Sequence, residues 1–257
     1  MIGHRVALRP RDLADIADVA ATFLRRHWKT FAKLLPWTLV PAALVFLLQR
    51  WLDLEFWSST ALLLTATAIG SGVYVVLLGD LMLAEEVDLR SVQRRFLGGL
   101  FRSVVARLLA WFVAFLSLGF AYANAAFVPE CSLLERDRAT ASLGRSGALM
   151  RATGGRSFGF LFLVFLLVAI GAVGGELARF YLRVLFGLST SHVTFFSHPL
   201  GWASVLGVAL VAPYLETFRF FAYIDARTRR EGWDLQVQMN ALVDAAEARR
   251  ASRSEAA

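Results

Sequence analysis

The sequence predicts an all-α fold, a polytopic bundle of five to six transmembrane helices with amphipathic helices on its surface. Only 18% of the 257 residues are charged and 57% are hydrophobic, whereas an ordinary globular domain carries about 25% charged residues. The stretch Ser157–Gly175, SFGFLFLVFLLVAIGAVGG, contains nineteen residues without a charge. As a helix it would be about 28 Å long, close to the ~30 Å hydrocarbon core of a bilayer. It is apolar on every side, as a membrane helix is.

The composition also limits the kind of protein. The length suits one integral membrane domain over residues 1–257 and leaves no room for a separate soluble enzyme domain. The 27 basic residues give a net charge of +7, but they lie between apolar runs, so we expect membrane lipids rather than nucleic acid as partners. A single cysteine, Cys131, excludes a disulfide within the chain and a cysteine-based metal site. We expect no catalytic residues, metal or cofactor.

Residues 1–33 are predicted to form an amphipathic N-terminal helix that lies on the membrane. Its acidic residues come first, and Arg25 and Arg26 come last, which complements the helix dipole. Trp28 and the neighbouring basic residues favour the membrane interface. The alternative is an ordinary helix packed on the rest of the domain. The apolar positions that share one face are Leu13, Ile16, Ala17, Ala20, Phe23 and Leu24.

Apolar runs further along the chain predict the spans, and polar stretches between them predict surface helices. The predicted spans are 34–52, 57–79, 108–129, 157–175 and 200–224. The predicted surface helices after the first are 88–103, 132–152 and 234–250. A polar tail over 226–257 includes the last of these.

The distribution of basic residues conflicts with five simple spans. Four segments are rich in Lys and Arg: the N-terminal 33 residues, 80–107, 130–156 and the tail. The positive-inside rule places all four in the cytoplasm, yet a single crossing over 108–129 would separate two of them. Either the rule fails once, or residues 104–134 enter and return as a hairpin of two short helices. We favour the hairpin, which gives six membrane helices with both termini cytoplasmic.

Two ionisable residues lie within the last predicted span. Glu216 would sit about 13 Å from the cytoplasmic end, with Arg219 one turn later. Such groups are costly in a membrane and usually face a bundle interior or a cavity. They could act as a relay or ligand contact, or they could form a structural pair at i,i+3.

Several short motifs resemble catalytic signatures only weakly. Glu85, Glu86 and Arg90 spell EExxxR, which is similar to the glutamate motif of CAAX-type intramembrane proteases. Neither His192 nor His198, however, is followed by Asn or Asp four residues later. Ser146 in GRSG lacks the spacing of a nucleophile elbow. Gly171 and Gly175 form a G-x-x-x-G motif, for which packing within the monomer is favoured over dimerisation.

Three stretches together resemble one bacterial group. They are residues 8–31, 127–155 and 220–236, with Leu134-Glu135 and Asp225-x-Arg227-x-Arg229-Arg230-Glu231-Gly232 as the best marks. The group consists of polytopic membrane proteins labelled "glycerophosphoryl diester phosphodiesterase membrane domain". The resemblance implies about six helices with cytoplasmic ends, and it implies no catalysis, because the metal-binding barrel of such an enzyme is absent from this sequence. The sequence is shorter than that group around 104–129.

We therefore expect a non-enzymatic protein of the bacterial inner membrane, a subunit or scaffold that engages anionic lipids or a protein partner of unknown identity. A transport component that uses Glu216 and Arg219 is the alternative, and a CAAX-type protease is a remote one. The residues expected to contact lipid or partner are Arg25, Arg26, Arg94, Arg95, Arg227, Arg229 and Arg230.

Overall fold

The structure is a computed structural model that describes residues 11–83, 87–117, 120–153, 157–187 and 201–232. All regular elements in these ranges are helical, which confirms the predicted fold class. The α-helices are α1 (Leu13–Leu34), α2 (Pro36–Trp51), α3 (Phe56–Leu83), α4 (Leu89–Leu116), α5 (Val128–Leu133), α6 (Ala139–Ala152), α7 (Ser157–Leu185) and α8 (Trp202–Glu231), with a 3-10 helix at Phe120–Ala125.

Four of these helices, α3, α4, α7 and α8, are long and apolar enough to cross a membrane. A fifth crossing is counted if α1 and α2, which meet at a bend of 54°, act together. Only 11% of the most apolar window of α7 is buried within the protein, against 67% of that of α8. The outer helix α7 therefore presents most of its surface outward, and α8 forms the centre of the bundle.

The helix α8 is central because helices on several sides pack against it. One cluster joins Val205 and Ala209 of α8 to Val45 of α2 and Leu63 of α3. Further along α8, a second cluster includes Phe218 and Tyr223 together with residues from α1, α3, α4, α5, α6 and α7. The helix α8 ends at Glu231 and is followed by Gly232, whose φ of 58° is a left-handed conformation that glycine adopts without strain.

Glycine contacts bring α7 and α8 together. A Cβ atom at Gly175 would lie 2.0 Å from the carbonyl oxygen of Ala203, and one at Gly207 would lie 2.0 Å from that of Gly171. The two backbones therefore touch without side chains between them, as small-residue motifs allow in membranes. The G-x-x-x-G motif packs within the monomer, as the sequence favoured.

The N-terminal helix α1 packs on α8. The Tyr214 hydroxyl donates to the carbonyl oxygen of Ala17 at 3.2 Å, and Phe23 stands edge-to-face against Phe221. Asp12 caps the helix by accepting from the Asp15 N–H at 2.8 Å. The predicted apolar face is correct, but it covers protein rather than lipid, which supports the alternative of a helix packed on the domain.

Several predicted boundaries are wrong. The surface helix predicted over 132–152 is interrupted, because α5 ends at Leu133 and α6 begins only at Ala139. Between them, Arg136 has a left-handed backbone conformation, with a φ of 57°.

The expected surface helix 88–103 and the run from 108 are one continuous helix, α4, because Arg102 and Arg107 are accommodated within it. Arg102 donates to the carbonyl oxygen of Arg136 at 3.0 Å, and Arg107 is buried. The last helix continues to Glu231 rather than ending at Ile224, so that residues 226–231 belong to α8 and not to a tail.

The helix count also differs from the six favoured by the sequence. After α4, the chain forms only a six-residue 3-10 helix and the six-residue α5, and neither is long enough to cross a bilayer. Within the described residues the structure therefore provides four candidate spans, or five if α2, the predicted span 34–52, is counted together with α1. The predicted helix 234–250 lies outside the described residues.

The glycine contacts predict that a single methyl group at the α7–α8 crossing is destabilising. Gly175→Ala places a Cβ atom against the Ala203 backbone and should cost about 1–3 kcal/mol through overpacking. Gly174→Ala is the matched control, because nothing lies within 4 Å of a Cβ at Gly174. Thermal unfolding of both purified variants in detergent measures the effect, and equal midpoints would contradict this account of the crossing.

Candidate functional site

A network of ionisable side chains is buried where α3, α5 and α8 meet. Arg219 donates from Nη1 to Oε1 of Glu216 at 3.3 Å, and the Ser71 hydroxyl of α3 donates to the same oxygen at 2.6 Å. Glu216 is 1% exposed. The structure therefore contains the i,i+3 pair that the sequence suggested and adds a hydrogen bond from a second helix.

Glu130 of α5 is a third member of this network and was missed by the sequence analysis. Its Oε2 atom lies 3.4 Å from Nη2 of Arg219, and the same guanidinium donates to the carbonyl oxygen of Ala126 at 2.7 Å. Glu130 is 0% exposed. Its position directly after an apolar run was the available signal, but the sequence cannot show which cation faces it.

Acidic and basic groups are paired in this buried network. Arg107 of α4, 6% exposed, acts electrostatically on Glu130 together with Arg219. Two carboxyl groups thus lie beside two guanidinium groups, the kind of pairing that buried ionisable groups require. Oε2 of Glu216 and Oε1 of Glu130 are buried and form no hydrogen bond with the described residues.

A second cluster of ion pairs connects α6 to the end of α8. Arg145 donates from Nε to Oε2 of Glu135 at 3.1 Å and also pairs with Glu231. Arg227 pairs with Glu231 at 3.0 Å and with Glu135 at 3.7 Å. Burial disfavours the charged form of Arg145, but Glu135 and Glu231 outweigh it and raise the pKa of this guanidinium. These ion pairs fasten α6 to α8.

The start of the described chain is attached to the end of α8. Asp225 accepts from the Arg11 N–H at 2.7 Å, and Arg229 binds both the Asp225 carboxylate and the Arg11 carbonyl oxygen, each at 2.7 Å. A cavity of about 20 Å³, lined by Asp225, Arg11 and mostly apolar side chains, lies beside this contact. Such a volume holds about one water molecule.

The predicted lipid or partner contacts fall into two groups. Arg25, Arg26, Arg94 and Arg230 are exposed, and the described residues show no ion pair to any of them. The others have partners within the protein. Arg95 pairs with Asp80, and Arg227 and Arg229 are bound by the carboxylates named above.

The second half of α7, next to the start of α8, carries one more buried carboxylate. Glu176, 3% exposed, accepts from the Ser204 hydroxyl at 2.9 Å and the Ser204 N–H at 3.3 Å. Ser204 lies in the first turn of α8, where the helix dipole favours an anion. Nη2 of Arg179 lies 2.9 Å from the other carboxylate oxygen of Glu176, Oε2. The sequence analysis missed this cap, which joins α7 to the start of α8.

The catalytic motifs gain no support from the described residues. Glu85, Glu86, His192 and His198 lie outside them. Ser146 is buried, and its hydroxyl oxygen accepts from the Phe127 N–H at 2.9 Å, so it is a structural residue of α6. The described residues contain no group of three or more His, Cys, Asp or Glu side chains that could hold a metal ion.

Within the described residues, these features define the class of the protein as an all-helical, multi-pass membrane protein with a buried network of paired carboxyl and guanidinium groups. Comparison with protein-family models, curated proteins and solved structures finds no match.

The buried network predicts a strong effect of removing its shared cation. Arg219→Met leaves Glu130 and Glu216 without their common partner and should cost about 3–5 kcal/mol, the usual penalty for breaking a buried ion pair. Arg230→Met is the matched control, because Arg230 is exposed on the same helix. Thermal unfolding in detergent is the measurement. A loss no larger than that of Arg230→Met would rule out a structural role for the network.

Proposed function

We propose that this chain is a non-enzymatic protein of the bacterial inner membrane that binds anionic lipid headgroups through one basic end of its bundle. We call this end, where α8 finishes, the basic end. It is formed by α1, α4, α6 and the last turns of α8. A scaffold or subunit role, with a protein partner attached to the same end, is consistent with this proposal.

The observation that carries the proposal is the segregation of exposed positive charge. The exposed basic side chains of the basic end are Arg25, Arg26, Lys29, Lys33, Arg90, Arg94, Arg95, Arg136, Arg138, Arg151 and Arg230. At the opposite end, where α8 begins, Arg50 is the one basic residue of the described ranges that is exposed. Basic clusters next to membrane helices attract anionic lipids, with about 1 kcal/mol for each Lys or Arg near the surface.

The same segregation supports an orientation. The positive-inside rule places the basic end in the cytoplasm. Arg11 and Arg229 are in contact at this end, which favours cytoplasmic positions for both termini. This arrangement agrees with the resemblance to the bacterial membrane-domain group, which we retain as a proposal.

A transport component with Glu216 in its pathway is the alternative, and the geometry gives it less support. The Oε1 atom of Glu216 is engaged by Ser71 and Arg219, and the cavity beside α8 is lined by Asp225 rather than by Glu216. A CAAX-type protease remains the remote alternative.

Lipid retention tests the proposal. The protein is purified from nanodiscs with equal amounts of phosphatidylglycerol and phosphatidylethanolamine, and bound lipids are counted by native mass spectrometry. We expect wild-type protein to retain phosphatidylglycerol preferentially. The quadruple variant R25Q/R26Q/R94Q/R230Q should lose at least about fivefold in this preference, because 1 kcal/mol corresponds to about that factor.

Arg50→Gln is the control at the opposite end and should leave the preference unchanged. The proposal fails if the quadruple variant keeps the wild-type lipid ratio, or if Arg50→Gln lowers that ratio equally. Loss of the preference together with loss of a bound protein subunit would identify the scaffold role at the same surface.

A further inference from the structure

We propose that α4, although long enough to cross the membrane, lies in the membrane plane at the basic end, with its outer face inserted among the lipid acyl chains of one leaflet. The identity of that leaflet as cytoplasmic rests on the proposed orientation. The in-plane position does not, because it follows from contacts along α4.

Neighbouring residues of α4 reach widely separated levels of α3. Arg95 pairs with Asp80, whereas the ring of Phe96 lies against Gly72, with Cε2 3.0 Å from the position of a Cβ there. Asp80 and Gly72 are eight residues apart, about 12 Å along the axis of α3. This distance matches the diameter of a helix with its side chains, as expected if α4 lies across α3.

Residues far apart along α4 reach the same level of α3. Arg107 lies eleven residues after Phe96, yet its Nη2 atom comes within 3.6 Å of the Cβ position at Gly72. A helix that ran alongside α3 would carry position 107 about 16 Å further down the bundle. The length of an arginine side chain covers only part of that distance. The axis of α4 is therefore strongly inclined to α3.

The second half of α4 also stays at the basic end. Arg102 donates to the carbonyl oxygen of Arg136, and Ala106 and Ala110 pack in a cluster with Val128 and partly buried Leu143. Leu143 belongs to α6, whose Arg145 is paired with Glu231 at the end of α8. These contacts of the second half of α4 therefore lie toward the basic end of the bundle.

The opposite membrane surface is marked by tryptophans. Trp57 and Trp202 are exposed near the first residues of α3 and α8, each fourteen residues before the Ser71–Glu216 hydrogen bond. They lie about 21 Å from that bond, and tryptophan is enriched at membrane interfaces. The α4 contacts fall between Gly72 and Asp80, up to about 13 Å on the other side of the bond. The distance from the tryptophans to Asp80, the sum of these two, is close to a hydrocarbon core of ~30 Å. The contacts of α4 near Asp80 therefore lie at the second interface.

The surface of α4 suits this position. Its outward residues form a stripe at helical spacing, and the flank that contacts Asp80 and Arg136 carries Arg95 and Arg102. An apolar face beside a basic flank is typical of helices that lie in a membrane interface. The exposed stripe comprises Leu97, Phe101, Val105, Leu108, Phe112 and Phe115.

An in-plane α4 also removes the charge conflict found in the sequence. The chain then crosses at α3, α7, α8 and the bent pair of α1 and α2, and all four segments rich in Lys and Arg fall on one side. Neither a hairpin over 104–134 nor an exception to the positive-inside rule is required.

Depth measurements with nitroxide labels test the position of α4. Single cysteines replace Phe101, Leu108 and Phe115 in a Cys131→Ala background, and power saturation with oxygen and a nickel chelate gives each depth in reconstituted vesicles. The three positions are seven residues apart and share one face of the helix. We expect equal depths near one interface. If α4 crosses, each step changes the level by about 10 Å, so the three depths cannot agree.

The crossing helix α7 supplies the matched control. Phe158→Cys and Phe165→Cys are also seven residues apart and highly exposed, and their depths should differ by about 10 Å. Unequal depths on α4 would overturn the proposal. Labels on α4 accessible to the nickel chelate without preference for oxygen would overturn it as well, because the face would then be in water. Labels shielded from both reagents would identify a second protein chain as the occupant instead of lipid.

Discussion

The need to compensate buried charge constrains the arrangement of this bundle more than any other single interaction. Glu216 and Glu130 are almost fully buried, where an isolated carboxylate would be costly. Arg219 contacts both of them, and Ser71 adds a hydrogen bond from α3. Because a guanidinium has several donors in a fixed plane, Arg219 binds Glu216 of its own helix and Glu130 of α5 at the same time. The connection from α8 to α3 is made by Glu216, through Ser71.

The rest of α8 is also held by specific contacts, and the kind of contact differs along the helix. At its beginning, Glu176 caps the first turn, and glycines allow α7 to approach the backbone. At its end, Asp225 holds the segment at Arg11, and Glu231 holds α6. Pro213 lies inside the helix between these levels, and the Thr217 hydroxyl donates to its carbonyl oxygen at 2.7 Å. The central helix thus has specific partners along its whole length.

The basic end combines two uses of arginine that look identical in the sequence. Arg227 and Arg229 carry the same charge as Arg230 and lie within one turn of it, yet they are bound by carboxylates of the protein while Arg230 is exposed. The difference depends on which residues α6 and the N-terminal segment bring near. Only the exposed group is free of these protein contacts, so the surface that we propose for lipid contact is smaller and more sharply defined than the charge count suggests.

The sequence by itself determined the helical membrane class, the positions of α3, α7 and α8, the apolar face of α1 and the Glu216–Arg219 pair. These features depend on local hydropathy and helical spacing, which are properties of neighbouring residues. The tertiary structure alone decided that Glu130 faces Arg219, that Glu176 caps α8, and that α4 is one continuous helix. Each of these depends on residues tens of positions apart, and a charged residue within an apolar run indicates that it needs a partner without indicating which one.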